Sequence, residues 1–400
     1  MPQGPNVLGQ SGKPLFFKVS NPGEVGLRPP ENRKGDSLRT WVRSLSVFQK
    51  EAIVASSRTG DLWRLASDEG PYLDGHDAGP CPLAFLTAGM IASYMNEITS
   101  LGRLRDVAIR RLRLVQDNYY TMSGSMQKRT MTGGALPVEL SVEIDCDLGD
   151  GELRTFLLDA IGASPVNGLM RGRLPSLFAL AKNGTELRPA RAKRIAGDIH
   201  PDPGDRFDRC QFDRPASAWC LVGPQGATPR KEVKGGTSAA GSSLADEQHR
   251  TLNVGGIGTL RDDGVKEIVQ LQYSPHGTSF KFLSDEAPAN GGGGRAPDAN
   301  SYVSAGIGFC FMTQFGRFAK MLHLNLEEYR IVQDSHFSLG GASGDTGKPG
   351  EADPLETHVY LTTSESDDVA REMLDVSEQT CFLHALCRTD LKPRLKVVRI

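Results

Sequence analysis

The sequence predicts an α+β protein made of two tandem copies of one domain, each an antiparallel sheet around a buried helix. Three observations predict it: the chain matches itself at one offset, each copy holds an apolar helix without a polar face, and short alternating segments flank that helix. The offset is 217 residues (284 − 67). Ser67-Asp68-Glu69-x-Pro71 falls on Ser284-Asp285-Glu286-x-Pro288, Gly75 on Gly292, Pro80 on Pro297, Ala88-Gly89 on Ala305-Gly306 and Met95 on Met312. Nine of the 29 positions from 67 to 95 are identical, where chance gives roughly two. The register then holds without a gap. Arg113-x-Val115-Gln116-Asp117 meets Arg330-x-Val332-Gln333-Asp334, Val142 meets Val359, Leu157 meets Leu374, and Leu169 and Arg171 meet Leu386 and Arg388.

Each element follows in order. Residues 1–40 are read as an arm, because the first 35 are rich in Pro and Gly and lack periodicity. Residues 41–181 form the first repeat and 251–400 the second. Short β-branched and aromatic runs broken by Gly or Pro, at 51–65 and 265–283, suit hairpins. Residues 83–98 are apolar on nearly every face and read as a helix buried all round, with 302–321 as its copy. Alternation predicts strands at 112–120 and 136–145, and at 328–337 and 358–363. A closing helical segment is expected over 153–180 and again over 367–387. Residues 182–250 carry many turn formers and charges. They end in a flexible Gly/Ser linker at 234–243, and the stretch 206–221, with Trp219, is apolar enough to pack somewhere.

Composition gives several functions no support. Lys+Arg 46 against Asp+Glu 48 gives a net charge of −2 over 400 residues, so no overall field draws nucleic acid or an anionic membrane. The most apolar stretches are short of the ~20 residues that span a bilayer, and no basic start precedes an apolar run. The expectation is a soluble, cytoplasmic protein. Seven scattered cysteines argue against a disulfide framework. No Cys-x-x-Cys or zinc spacing occurs, and no P-loop, Gly-x-Ser-x-Gly or His-Glu-x-x-His, so neither metal nor cofactor is expected. His76 and Cys81 could suggest a ligand pair, but the second repeat has Gly293 and Asp298 there.

The offset also locates the chemistry. Cys310 in the second buried helix has Ser93 as its partner, and Cys381 has Ser164. A thiolate is a good nucleophile at neutral pH, whereas serine needs a base, so any thiol chemistry belongs to the second repeat. The alternative is that both are packed core thiols. His384 stands three residues after Cys381 and is read either as a base for a thiol or as a surface histidine. Glu286 and Asp285 recur in both repeats and fit a structural turn. Cys387 is read as a packed thiol.

Gly79-Pro80-Cys81-Pro82, followed by the apolar alanine-rich run from Leu83 to Ser93, resembles the osmotically inducible protein C and organic hydroperoxide resistance family (OsmC/Ohr). Its pattern reads Gly-Pro-Asn-Pro and then a helix ending in the peroxide-attacking cysteine. The Ser-Asp-Glu-x-Pro segment is similar to the strand before that helix, and the context of Cys381 to that of the second family cysteine. The resemblance covers most of both repeats. It implies two intertwined units forming an intramolecular pseudo-dimer with sites where they meet, Cys310 as attacking thiolate, and Cys381 as the resolving thiol. Family peroxidases place a glutamate ten residues before the attacking cysteine, with an arginine from the first strands. The glutamate positions hold Asn300 and Leu83 here, and the arginine is assigned to Arg261, with Arg43 from the other unit as the alternative.

Two chemistries fit this set. In the first, Cys310 reduces an organic hydroperoxide, Cys381 closes a disulfide, and a partner thiol reductant restores the pair. In the second, Cys310 attacks a carbon electrophile with help from His384, giving a hydrolase or lyase. A non-catalytic small-ligand binder is the third reading. All three involve a small organic molecule and neither nucleic acid nor membrane, and further self-association stays open.

Overall fold

In the computed structural model, which describes residues 4–213, 220–233 and 243–400, the chain begins with two helical turns, α1 (Val7–Gln10) and α2 (Pro22–Val25). Between them runs β1 (Phe16–Lys18). β2 (Gly35–Ser44), β3 (Lys50–Ser56) and β4 (Leu62–Ser67) form an antiparallel meander, and β1 pairs with the edge of β4. Helix α3 (Pro82–Leu104) follows, then β5 (Ile109–Ser125), β6 (Thr132–Ala135), β7 (Glu139–Cys146), α4 (Asp150–Ala163), α5 (Asn167–Arg171) and β8 (Ser176–Lys182). The connecting segment holds β9 (Thr185–Leu187), β10 (Lys193–Arg194) and β11 (Val222–Ala227). The order then recurs: β12 (Glu247–Leu260), β13 (Lys266–Ser274), β14 (Thr278–Ser284), α6 (Ala299–Leu322), β15 (Glu328–Ser338), β16 (Leu355–Thr362), α7 (Asp367–Thr380), α8 (Phe382–Arg388) and β17 (Arg394–Arg399). Both ends of α7 stand 217 residues after those of α4 (367 − 150, 380 − 163).

The class is α+β, with two largely antiparallel sheets. Among the described residues one sheet runs β1-β4-β3-β2-β15-β16-β8-β10, with β9 on β8, and the other β11-β14-β13-β12-β5-β7-β17, with β6 on β5. Each sheet therefore takes its meander and its closing strand from one half of the chain and its two middle strands from the other. The exchange is fixed by long antiparallel pairings, β2 with β15 and β12 with β5. The closing strands join in parallel, β8 on β16 and β17 on β7.

Helices α3 and α6 lie against each other between the sheets, α6 on β2, β3 and β15, and α3 on β5, β12 and β13. With apolar neighbours on every side, an amphipathic pattern would bury polar groups without partners, which is why both helices lack a polar face. They meet at glycines. A Cβ on Gly89 would lie 2.6 Å from Val303 Cγ2 and 2.7 Å from the Ala299 carbonyl, and one on Gly306 would lie 3.0 Å from Leu86 N. Phe16, Phe85, Phe282, Tyr302 and Phe309 fill the space around this crossing.

Four expectations are corrected in detail. The segment 153–180 is not one helix: α4 stops at Ala163, α5 is short, and after Pro175 the chain becomes β8, because Pro removes an amide a helix needs and the residues beyond alternate. Likewise 367–387 breaks at Cys381 into two helices. Residues 35–40, given to the arm, already belong to β2, and β12 starts at Glu247 within the stretch given to the linker. The connecting segment is partly built: Phe207 and Cys210 pack on the outer face of the first sheet with Phe17, Trp41 and Tyr360, and β11 pairs with β14. On that face Arg39 donates two 2.6 Å bonds to Asp334, which hold this carboxylate at about 2 although burial pushes the other way. Trp219 and linker residues 234–242 lie outside the described residues.

Candidate active site

The thiols expected from the repeat offset meet. Cys310 sits mid-way along α6 and Cys381 at the joint between α7 and α8, and their sulfurs are 3.4 Å apart and buried. Both stand as free thiols. The same construction recurs in the first half, where Ser93 Oγ and Ser164 Oγ are 2.7 Å apart in a hydrogen bond. Burial and the neighbouring Cys381 push the Cys310 thiol well above its ordinary value, against one amide hydrogen bond from Leu383. The resting sulfur is a protonated thiol.

Beside Cys310 lies a narrow cavity of about 30 Å³, room for about two waters. Its wall is contributed by both halves. Cys310, Thr313, Gln314 and Arg317 follow the i, i+3, i+4, i+7 spacing, so one face of α6 lines it. Glu69, Tyr72, Cys81 and Leu83 come from the turn into α3, and Ser243 and Arg250 from the start of β12. Glu69 accepts from Tyr72 Oη at 2.6 Å and Thr313 Oγ1 at 2.9 Å.

This wall is unusually charged for an interior. Arg317 is fully buried and is lowered to about 9 by burial and then by the charge of Arg250, with Glu69 opposing. Arg250 is lowered to about 10 by burial. Both remain cations at neutral pH. Burial lowers Lys50 to about 8, against the charges of Glu69, Asp68 and Cys310, and raises Glu69. Arg317 Nε donates to the Ser243 carbonyl at 2.9 Å and Arg250 Nη1 to Ser243 Oγ at 2.6 Å. Among the described residues, Arg317 Nη2, Arg250 Nε and Gln314 Oε1 are buried without a protein partner. The two guanidinium donors suit negative charge that develops in the cavity, and the Gln314 oxygen suits a proton donor.

The other expected site residues are placed differently. His384 is neither a surface residue nor a base for the thiols. It is wholly buried, stacked on Phe311 at 4.7 Å, and burial and then Arg388 lower it to about 3. Neither of its nitrogens has a hydrogen-bond partner. Arg261 stands at the β12–β13 turn, half-exposed, with Asp263 at 3.2 Å, away from the cavity wall. Arg43 pairs with Glu51 and Asp208. Asn300 donates to Asp36 Oδ2 and does not face Cys310. Ten residues on one helix are ~15 Å apart, so the position that faces Cys310 is Leu83 of the other half. Glu69, assigned with its copy Glu286 to a structural turn, faces the cavity, while its neighbour Asp68 does tie that turn through the amides of Glu69 and Ala78. His76 binds the Gly4 carbonyl, apart from Cys81. Cys387 is a packed thiol.

Sequence reasoning missed Thr313, Gln314 and Arg317, although helical spacing from Cys310 marks all three. It missed Arg250 and Ser243 because they fell in the segment read as linker.

The OsmC family model, described as OsmC-like protein, matches residues 291–396, the span that holds both Cys310 and Cys381. No curated protein matches the chain. A solved structure, an OsmC-like hydroperoxide resistance protein from Jannaschia sp. CCS1, is 20% identical with a TM-score of 0.19, over 32% of this chain and 79% of its own. Among the described residues, no helix is long and apolar enough to cross a membrane.

Proposed function

We propose, from the OsmC-like domain at residues 291–396, that the chain reduces organic hydroperoxides with Cys310 as attacking and Cys381 as resolving thiol. The observation that carries this reading is the 3.4 Å approach of the two sulfurs beside a cavity lined by buried cations. The Cys310 sulfur attacks the distal peroxide oxygen, the O–O bond breaks, and the thiol proton ends on the departing alkoxide as alcohol. Cys310 is left as a sulfenic acid. The Cys381 sulfur then attacks it, the S–S bond forms and water leaves. A thiol reductant completes the cycle.

Arg317 and Arg250 supply positive charge as the thiolate and alkoxide develop. Glu69 supplies the carboxylate that Leu83 cannot. The two halves are read as copies of one ancestral domain, supported by the element order and strand exchange. The first copy, with Ser93 and Ser164 at the thiol positions, serves the second by lending Glu69, Tyr72 and Leu83 to its wall.

The test treats the reduced protein with one equivalent of tert-butyl hydroperoxide, followed by non-reducing digestion and mass spectrometry. The expected product is a Cys310–Cys381 disulfide with one equivalent of alcohol. Cys310 recovered as a free thiol after the peroxide is consumed overturns the reading.

A further inference from the structure

Cys81 is a buried nucleophile that the two-thiol cycle does not use. It forms the N-cap of α3, immediately before Pro82, and lines the same cavity as Cys310. The buried Tyr120 hydroxyl lies within electrostatic reach of Cys310, Cys81 and Cys381 together. The wall they share encloses room for only about one or two waters.

An N-cap is an unfavourable place for cysteine. At the matching position Asp298 caps α6, its Oδ1 accepting from the Ser301 amide at 2.7 Å. The Cys81 side chain makes no capping bond. A cysteine there gives up a carboxylate cap, and its sulfur keeps only the weaker approach of the Ala84 and Leu83 amides. What the position gains is a thiol on the same cavity wall as the reactive sulfur, shared with Arg317, Arg250 and Gln314.

We infer that Cys81 is a second resolving thiol for Cys310. Resting on the peroxidase reading, the step is Cys310–SOH plus Cys81–SH giving a Cys310–Cys81 disulfide and water; the Cys81 sulfur displaces hydroxide, which leaves with the Cys81 proton. Burial and the Glu69 charge hold this thiol well above its ordinary value, and the Ala84 and Leu83 amides oppose them. The first half would then contribute a reacting atom to the cycle as well as part of the wall.

The experiment uses the full chain carrying Cys381→Ser. One sample receives one equivalent of tert-butyl hydroperoxide, a second the thiol oxidant diamide, and both are mapped by non-reducing digestion and mass spectrometry. The expected result is a Cys310–Cys81 linked peptide in both samples, lost in the Cys81→Ser/Cys381→Ser double variant, where one equivalent of hydroperoxide leaves Cys310 as a sulfenic acid. A link with diamide alone keeps Cys81 as a disulfide partner and overturns the peroxidase reading instead. No link in either sample, with Cys310 held as a sulfenic acid after hydroperoxide and Cys81 free, overturns the inference. Circular dichroism of each variant against wild type confirms that a folded protein is compared.

Discussion

At the scale of single residues, the charge around Cys310 decides what its sulfur can do. Arg317→Met removes a buried guanidinium from the wall that also holds Glu69 and Cys310, and should slow single-turnover oxidation of Cys310 by about tenfold or more. Arg317→Lys should recover part of that rate. Rapid-quench mass spectrometry reads both, and equal rates in wild type and Arg317→Met remove Arg317 from the mechanism. Cys220 is exposed and Cys310 buried. Iodoacetamide at neutral pH should therefore alkylate Cys220 well before Cys310. The two thiols were legible because serine stands at both matching positions. Arg317 was not, because a lone arginine in an apolar helix reads as an end-of-helix charge until the cavity beside Cys310 is seen. Arg261 was chosen by its place near the first strands, yet β12 begins early enough that Arg250 reaches the site.

Histidines set the acid limit of the fold. Burial lowers both His358 and His384 to about 3, helped by the charges of His200 and Arg388 respectively. In the unfolded chain both take up protons near pH 6.5. Between these values the unfolded state binds more protons, so stability is complete above about pH 6.5 and falls as pH drops toward 3. The slope is up to about 1.4 kcal/mol per pH unit for each imidazole. His384→Phe should flatten the loss between pH 6 and 4, measured by urea unfolding at a series of pH values; an unchanged slope assigns the acid sensitivity elsewhere.

At the scale of elements, the crossing of α3 and α6 admits no side chain at Gly89. Gly89→Ala places a methyl against Val303 and the Ala299 carbonyl, and should destabilise by about 1–3 kcal/mol. A lowered urea midpoint with an unchanged slope is the expected signature; no shift means that the helices slide apart freely. The central helices were legible because being apolar all round has one meaning in a soluble chain. Strand β8 was not. Residues 153–171 carry a helical pattern, and only Pro175 and the short alternation after it announce the change. Cys381 ends a helix for a related reason. The break between α7 and α8 turns the chain so that its sulfur faces α6, and helical periodicity alone carries straight through such a joint.

At the scale of the whole molecule, strand exchange makes the halves mutually dependent. Each sheet needs β2 against β15 or β12 against β5 before its middle is closed. Neither half can bury its central helix alone. Far-UV and near-UV circular dichroism should therefore trace one coincident urea transition. Two separated transitions would show that the halves fold independently despite their shared sheets. Two copies could be read from the offset of 217, whereas their intertwining was expected only from the family resemblance, since self-similarity carries no information about which copy a strand pairs with.

The interleaved sheets also change how the molecule can vary. Where two identical chains build such a pair, every substitution is made at both sites at once. Here the pair lies on one chain, so a change at Ser164 leaves Cys381 untouched. On the duplication proposed above, one pair of positions is free to become scaffold while the other keeps its sulfurs, and the counterpart of Cys310 and Cys381 is the hydrogen-bonded Ser93–Ser164 pair 217 residues away. The protein thus carries its own control: an oxidant that modifies the Cys310 pocket meets, in the same molecule, a near-copy with oxygen in place of both sulfurs.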